Sequence, residues 1–131
     1  YISRKDSLSN HRKILNENEL LNILKKKKFR IIKLANLSIL QKINLFQKAK
    51  IVVGLYGAGL LNVIFSNKKT KVLEIRNSKS GNLYKYITQN AGINHKSIIF
   101  KGRKKNNTIK DIDDDIYINI KKFTKVLNEI I

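Results

Sequence analysis

The densest concentration of residues able to do chemistry is Gly54-Leu55-Tyr56-Gly57-Ala58-Gly59-Leu60. It follows the apolar run Ala49-Lys50-Ile51-Val52-Val53 and leads into another apolar stretch, so it reads as a turn from a buried strand into a helix. Such a turn is a ready anion site. The first helical N–H groups lack partners, the helix dipole adds partial positive charge, and glycine lets a ligand approach the backbone. A diphosphate is the anion it suits. In an open parallel sheet the turn falls at the carboxyl ends of the strands, where ligands of such folds bind. The spacing G-x-x-G-x-G differs from the G-x-G-x-x-G of dinucleotide binding, and without Gly-Lys-Ser/Thr it is no Walker loop. Close helix–strand packing is the competing use of the same glycines.

Other candidates surround this turn in sequence. Glu74 lies in the apolar run Lys71-Val72-Leu73-Glu74-Ile75, where a carboxylate is costly unless partnered. At the strand's carboxyl end it would reach a ribose diol; otherwise it is an edge-strand or salt-bridged glutamate. Arg4 and Arg12, taken by themselves, read as surface arginines of a basic chain. Asn62, on the helix after the turn, either contacts the ligand or makes a buried hydrogen bond. Asn16, with Glu19 three residues on, reads as a helix cap. His11 precedes Arg12 on a polar loop and His95 reads as structural; far apart in sequence, they offer no metal-ligand spacing. Asp111, Asp113, Asp114 and Asp115 read as solvated carboxylates on an exposed loop from Lys101 to Asp115, and no metal is expected.

The elements that must position these residues alternate between apolar β-branched runs and helix-period runs, the pattern of a parallel sheet covered by helices. Strands are predicted at Tyr1 to Arg4, Phe29 to Leu34, Ala49 to Gly54, Lys71 to Ile75, Lys96 to Phe100 and Ile116 to Ile120. Helices are predicted from Glu17 to about Lys27, Ser38 to Lys48, Leu60 to Phe65, Asn82 to Gly92 and Lys121 to Ile131, the last with Phe123, Val126, Leu127 and Ile130 on one face. Lys5 to His11 reads as a loop. No repeat and no proline divides the chain, so residues 1–131 read as a single α/β domain.

The balance of 28 Lys and Arg against 9 Asp and Glu gives a net charge of +19, which points to an anionic partner: nucleic acid, a membrane surface or a phosphorylated ligand. A plainer cause competes, since Ile, Lys and Asn, all with AT-rich codons, supply 60 of the 131 residues. The lysines are scattered rather than interleaved with aromatics, so nucleic acid is not the expected partner. There is no Cys, which excludes a thiolate nucleophile, a cysteine metal site and disulfides. No apolar run approaches the ~18 residues of a spanning helix. The expected compartment is the cytoplasm, with peripheral attachment at the inner face of a membrane. Because the chain opens on Tyr1 within a strand-like segment, it reads as a fragment of a longer protein.

At these residues the chain resembles glycosyltransferase family 61, and the resemblance runs in order along nearly the whole sequence. It is carried by Ile2-Ser3-Arg4, Arg12-Lys13-Ile14-Leu15-Asn16-Glu17, Gln41, Ala49 to Gly54, and Tyr56-Gly57-Ala58-Gly59-Leu60-Leu61-Asn62-Val63-Ile64-Phe65. The stretch Val72-Leu73-Glu74-Ile75 closes it. The resemblance implies the Rossmann-like carboxyl-terminal domain of a GT-B enzyme, with an open parallel sheet and helices on both faces. It also implies inverting transfer of a hexosyl or pentosyl unit from a nucleotide sugar, a uridine diphosphate sugar foremost, to a glycan, as in capsular or surface polysaccharide biosynthesis. The nucleotide sugar is then a substrate, and no cofactor is expected. The amino-terminal acceptor domain of the same protein would be a partner, and this chain alone is expected to be inactive.

The donor-binding residues so implied are Arg4, Arg12, Gly54, Tyr56, Gly57, Ala58, Gly59, Leu60, Asn62 and Glu74. The chain departs from the family where the motif histidine is Tyr56. A phenol, with a pKa near ~10, donates a hydrogen bond to phosphate but is a poor base at neutral pH, so the catalytic residue stays unassigned. Two other readings remain open. One is a non-catalytic basic module binding polyanions; the other is a dinucleotide-binding oxidoreductase domain, with Glu74 as the ribose acid.

Overall fold

The structure is a computed structural model of the 131-residue chain, and it describes residues 1–7, 12–104 and 113–131. Three parallel strands, β1 (Ile51–Leu55), β2 (Lys71–Asn77) and β3 (Asn94–Phe100), form the regular sheet in the order β1-β2-β3. Their register sets Gly54 beside Glu74, and Glu74 beside Ser97.

Two short segments widen the sheet beyond β1. Ile2 forms parallel bridges to Gly54 on one side and Ile32 on the other. Its N–H donates to Val53 O at 2.9 Å, and Ser3 N–H donates to Ile32 O at 2.9 Å. The spatial order is therefore Ile32 segment, Ile2 segment, β1, β2, β3. The predicted strand over Phe29 to Leu34 shrinks to this one bridge, because Phe29, Ile31 and Ile32 are only half-buried on the sheet's rim.

Helices cover both faces. α1 (Glu17–Lys26) and α4 (Ile120–Asn128) pack Leu20, Leu24, Phe123 and Leu127 against Val53, Leu55, Leu73 and Ile75. The other face takes Phe46 from α2 (Ile39–Gln47), Leu60 and Val63 from the helix Ala58–Phe65, and Tyr84 from α3 (Leu83–Asn90), packed on Val52 and Val72. Alternate residues of β1 and β2 thus serve two cores, which is why both strands read as continuous apolar runs. The architecture is α/β with an open parallel sheet, as the sequence led one to expect. Among the described residues no helix is long and apolar enough to cross a membrane.

Several local expectations need correction. Asn16 occupies the N-cap position of α1 but its side chain makes no cap bond. It clamps the chain before α4 instead, with Asn16 Nδ2 donating to Ile118 O and Ile118 N–H donating to Asn16 Oδ1, both at 2.9 Å. The reciprocal capping box belongs to α2, where Gln41 N–H donates to Ser38 Oγ and Ser38 N–H to Gln41 Oε1. The helix after the glycines is a 3-10 helix rather than an α-helix.

Of the acidic run, the described Asp114 and Asp115 are not solvated. Asp114 and Asp115 are buried, and Asp115 Oδ1 accepts from Lys13 N–H at 2.7 Å. The predicted strand over Ile116 to Ile120 is reduced to β5 (Asp115–Ile116), antiparallel to β4 (Gly102–Arg103). Ile116 also bridges Ile14 in parallel, so two-way pairing explains the burial of this short strand. Asp111, His11 and most of the basic stretch between Arg103 and Asp113 lie outside the described residues.

Candidate functional site

The connections leaving the Ile2 segment and β1 set the place of the site. From Ile2 the chain moves outward through α1 to Ile32, then crosses back through α2, on the opposite face, to β1. Adjacent strands whose connections diverge leave a crevice at their carboxyl ends, and open α/β sheets bind ligands there. Here that switch point lies between Ser3-Arg4 and Leu55-Tyr56-Gly57.

Arg4 and Gly57 meet across it. A Cβ on residue 57 would overlap Arg4 Nη1, with Arg4 Cζ at 3.5 Å, so glycine is needed for the guanidinium to rest against the turn. Gly54 has a packing use instead: Leu60 Cδ2 and Cγ would stand 2.9 and 3.2 Å from a Cβ there. Gly59 is approached by Ile2 Cγ2 at 3.2 Å. The glycines therefore divide into packing positions and one that faces a cation.

The helix begins with Leu60 N–H donating to Gly57 O at 2.9 Å. Among the described residues, the N–H groups of Gly57, Ala58 and Gly59 find no acceptor. Gly57 is buried while Ala58 is exposed, so this run of donors passes from the interior to the surface. Asn62 Nδ2 donates to Gly59 O at 2.9 Å and so braces the same turn.

Arg12 is brought to this end by a separate device. Its φ is 53°, in the left-handed region, at a cost of ~1–3 kcal/mol for a non-glycine residue. Its N–H donates to Asp113 O at 3.0 Å and its Nε lies 3.2 Å from Asp113 Oδ1. Burial, and next the nearby charge of Arg12, lower the Arg4 pKa, while Tyr84, Tyr1 and Asp113 oppose the shift. Two guanidiniums close enough to repel form a place where an anion is stabilised.

Tyr84, which nothing in the sequence marked, is the hub of the cluster. Its ring packs edge-on to Tyr56, with centroids 5.0 Å apart and planes at 75°. Burial foremost, then Tyr56 and Glu74, raise its phenol pKa, while Arg12 and Arg4 lower it. A tyrosine at the second position of α3, with apolar positions following at helical spacing, looks like any core aromatic; only the fold places it beside both arginines.

Glu74 differs from its expected setting. It is the middle residue of β2 rather than one at the carboxyl end, and it is 0% exposed. Ser97 Oγ donates to Glu74 Oε2 at 2.9 Å, and His95 Nε2 lies 3.2 Å from the same oxygen. His95 packs against Glu74, whose side chain is closed off from solvent among Ser97, His95 and the neighbouring strands. Arg76, at the true carboxyl end of the strand, donates through Nη1 to Gly81 O and Asn82 Oδ1, each at 2.9 Å. It holds the loop whose Gly81 adjoins the Tyr56 hydroxyl.

A family model described as glycosyltransferase 61 matches residues 1–73. The chain belongs to glycosyltransferase family 61. Among curated proteins, none matches the chain. The family 61 match takes in Arg4, Arg12 and the whole glycine turn, and ends one residue before Glu74. Glycosyl transfer, with a sugar donor and an acceptor, is the activity that membership supports.

Proposed function

We propose that the crevice between Arg4 and the Gly57 turn holds the diphosphate of a nucleotide sugar, a uridine diphosphate sugar foremost, for inverting transfer to a glycan hydroxyl. The observation that carries this reading is the Arg4 guanidinium packed on Gly57 beside N–H donors that have no acceptor. In the transfer, the acceptor oxygen bonds to the anomeric carbon as that carbon's bond to the diphosphate oxygen breaks. The bonding electrons leave with the diphosphate, and the hydroxyl proton passes to a general base. Arg4, Arg12 and the Gly57 to Gly59 amides would stabilise the charge that builds on the leaving group, the largest electrostatic contribution such a site can make.

Tyr56 would donate to a phosphate oxygen, with Tyr84 fixing its ring. Glu74, with Ser97 and His95, would keep β2 and β3 in register beneath the turn. The acceptor and the base would come from a facing domain, as in a GT-B arrangement, and the product would be a capsular or other surface polysaccharide. The test is calorimetric titration of the intact protein with uridine diphosphate. Saturable binding that weakens in Arg4→Ala is expected; absence of binding with the facing domain present would overturn the reading.

A further inference from the structure

The opposite end of the sheet has a different character. In a parallel sheet every covering helix returns to the amino ends of the strands, so the helix carboxyl termini and the turns after them gather on one face. α1 ends in Lys25 and Lys26 and continues into Lys27 and Lys28; Lys48 and Lys50 lie between α2 and β1; Lys68 and Lys69 precede β2. All eight are exposed. The one described side-chain carboxylate at this end, Glu129, is already paired with Lys96. The other described carboxylates lie mid-sheet or around the arginines at the far end.

Helix dipoles favour a cation or two in each last turn. They do not account for lysines in the connecting turns, where the dipole has faded. A hollow of about 380 Å³ opens among them, with Phe29, Leu45 and Ile51 on its walls and Lys27, Lys28 and Lys48 at its edge. An apolar hollow ringed by separated cations suits an amphiphile with an anionic head.

We propose that this face docks on an anionic phospholipid bilayer. Lysines carried as independent point charges suit a fluid layer of headgroups, each near the surface strengthening binding roughly fivefold. Nucleic-acid surfaces favour arginine forks and exposed aromatics for stacking; Arg30 is the only arginine here, and Phe29 is half-buried. Docking this way leaves the Arg4–Gly57 crevice at the opposite end of the strands, open to a soluble donor. The inference rests on the charge layout and the hollow, and stands or falls apart from the transfer reading.

Co-sedimentation of the intact protein with vesicles tests it. Binding to mixed phosphatidylcholine–phosphatidylglycerol vesicles is expected, with none to phosphatidylcholine alone and a steep loss as salt rises. Lys27→Glu, Lys28→Glu, Lys48→Glu and Lys50→Glu together should weaken it by roughly a hundredfold or more. The same reversal at Lys33, Lys79, Lys85 and Lys121 should cost less than about a tenth of that. If circular dichroism shows either variant unfolded, the two Lys→Gln sets carry the same comparison. Equal losses for both sets, or a preference for single- or double-stranded nucleic acid over vesicles at matched salt, would overturn the proposal.

Discussion

Replacing Gly57 by Ala separates the two uses a glycine can have in the turn. The new Cβ would stand under 3.0 Å from Arg4 Nη1, closer than real Cβ atoms come, while its next neighbours, Arg4 Cζ and Leu55 O, would be at 3.5 and 3.8 Å. Only the tip of a flexible side chain is in the way, so the fold should lose no more than about 1 kcal/mol. The guanidinium must move. If it holds the diphosphate, uridine diphosphate affinity falls by the worth of a charge-assisted hydrogen bond, about 1.5–3 kcal/mol, or roughly 10- to 150-fold in Kd. Arg4→Ala should lose a similar amount by calorimetry, and the double variant little more than either, because both act through one group. Unchanged affinity in Gly57→Ala with an unchanged melting point, or fully additive losses, would refute this. Gly54→Ala is the contrasting case. There the Cβ meets Leu60 Cδ2 at 2.9 Å inside the core, so overpacking should cost about 1–3 kcal/mol of stability.

Asn16→Asp keeps a good capping residue but removes the donor to Ile118 O; urea unfolding should show a loss of about 2 kcal/mol, whereas a pure cap would lose nothing. Glu74→Ala should destabilise by at least about 2 kcal/mol, through the cavity and the stranded Ser97 hydroxyl, and an unchanged unfolding midpoint would contradict the buried arrangement. The raised Tyr84 pKa makes stability pH-dependent on the alkaline side. The folded state holds that proton more tightly than the unfolded one, so the contribution is complete below the ordinary value of 10.0 and is lost as pH rises through the folded value. Tyr84→Phe should flatten the decline in melting temperature above that pH; an identical profile would count against it.

The parts of the fold legible in the sequence were those where one local signal sufficed. β1 and β2 announced themselves because both faces of each are buried, and the glycine turn because its spacing demands close approach. What escaped depended on partners distant in the chain. Asn16 matched a cap by its neighbours, yet Ile118 claims its amide. Asp114 and Asp115 looked solvated beside their charged neighbours, yet β4 and the Lys13 backbone enclose them. Glu74 reads as a costly burial, but its partners Ser97 and His95 follow from a register with β3 that no local pattern encodes. Tyr84 carried no signal at all, since an aromatic on a helix is ordinary until the arginines arrive beside it.

The place of Tyr1 to Ser3 in the middle of the sheet also bears on how the protein forms. Ile2 must wait for Ile32 and for Val53 before its backbone is satisfied, and at usual rates of synthesis Val53 follows Ile2 by a few seconds. Long-range parallel pairing of this kind slows folding. During that interval the apolar Tyr1 to Ser3 segment lacks its sheet partners, and the contact of Arg4 with Gly57 waits on the same pairing.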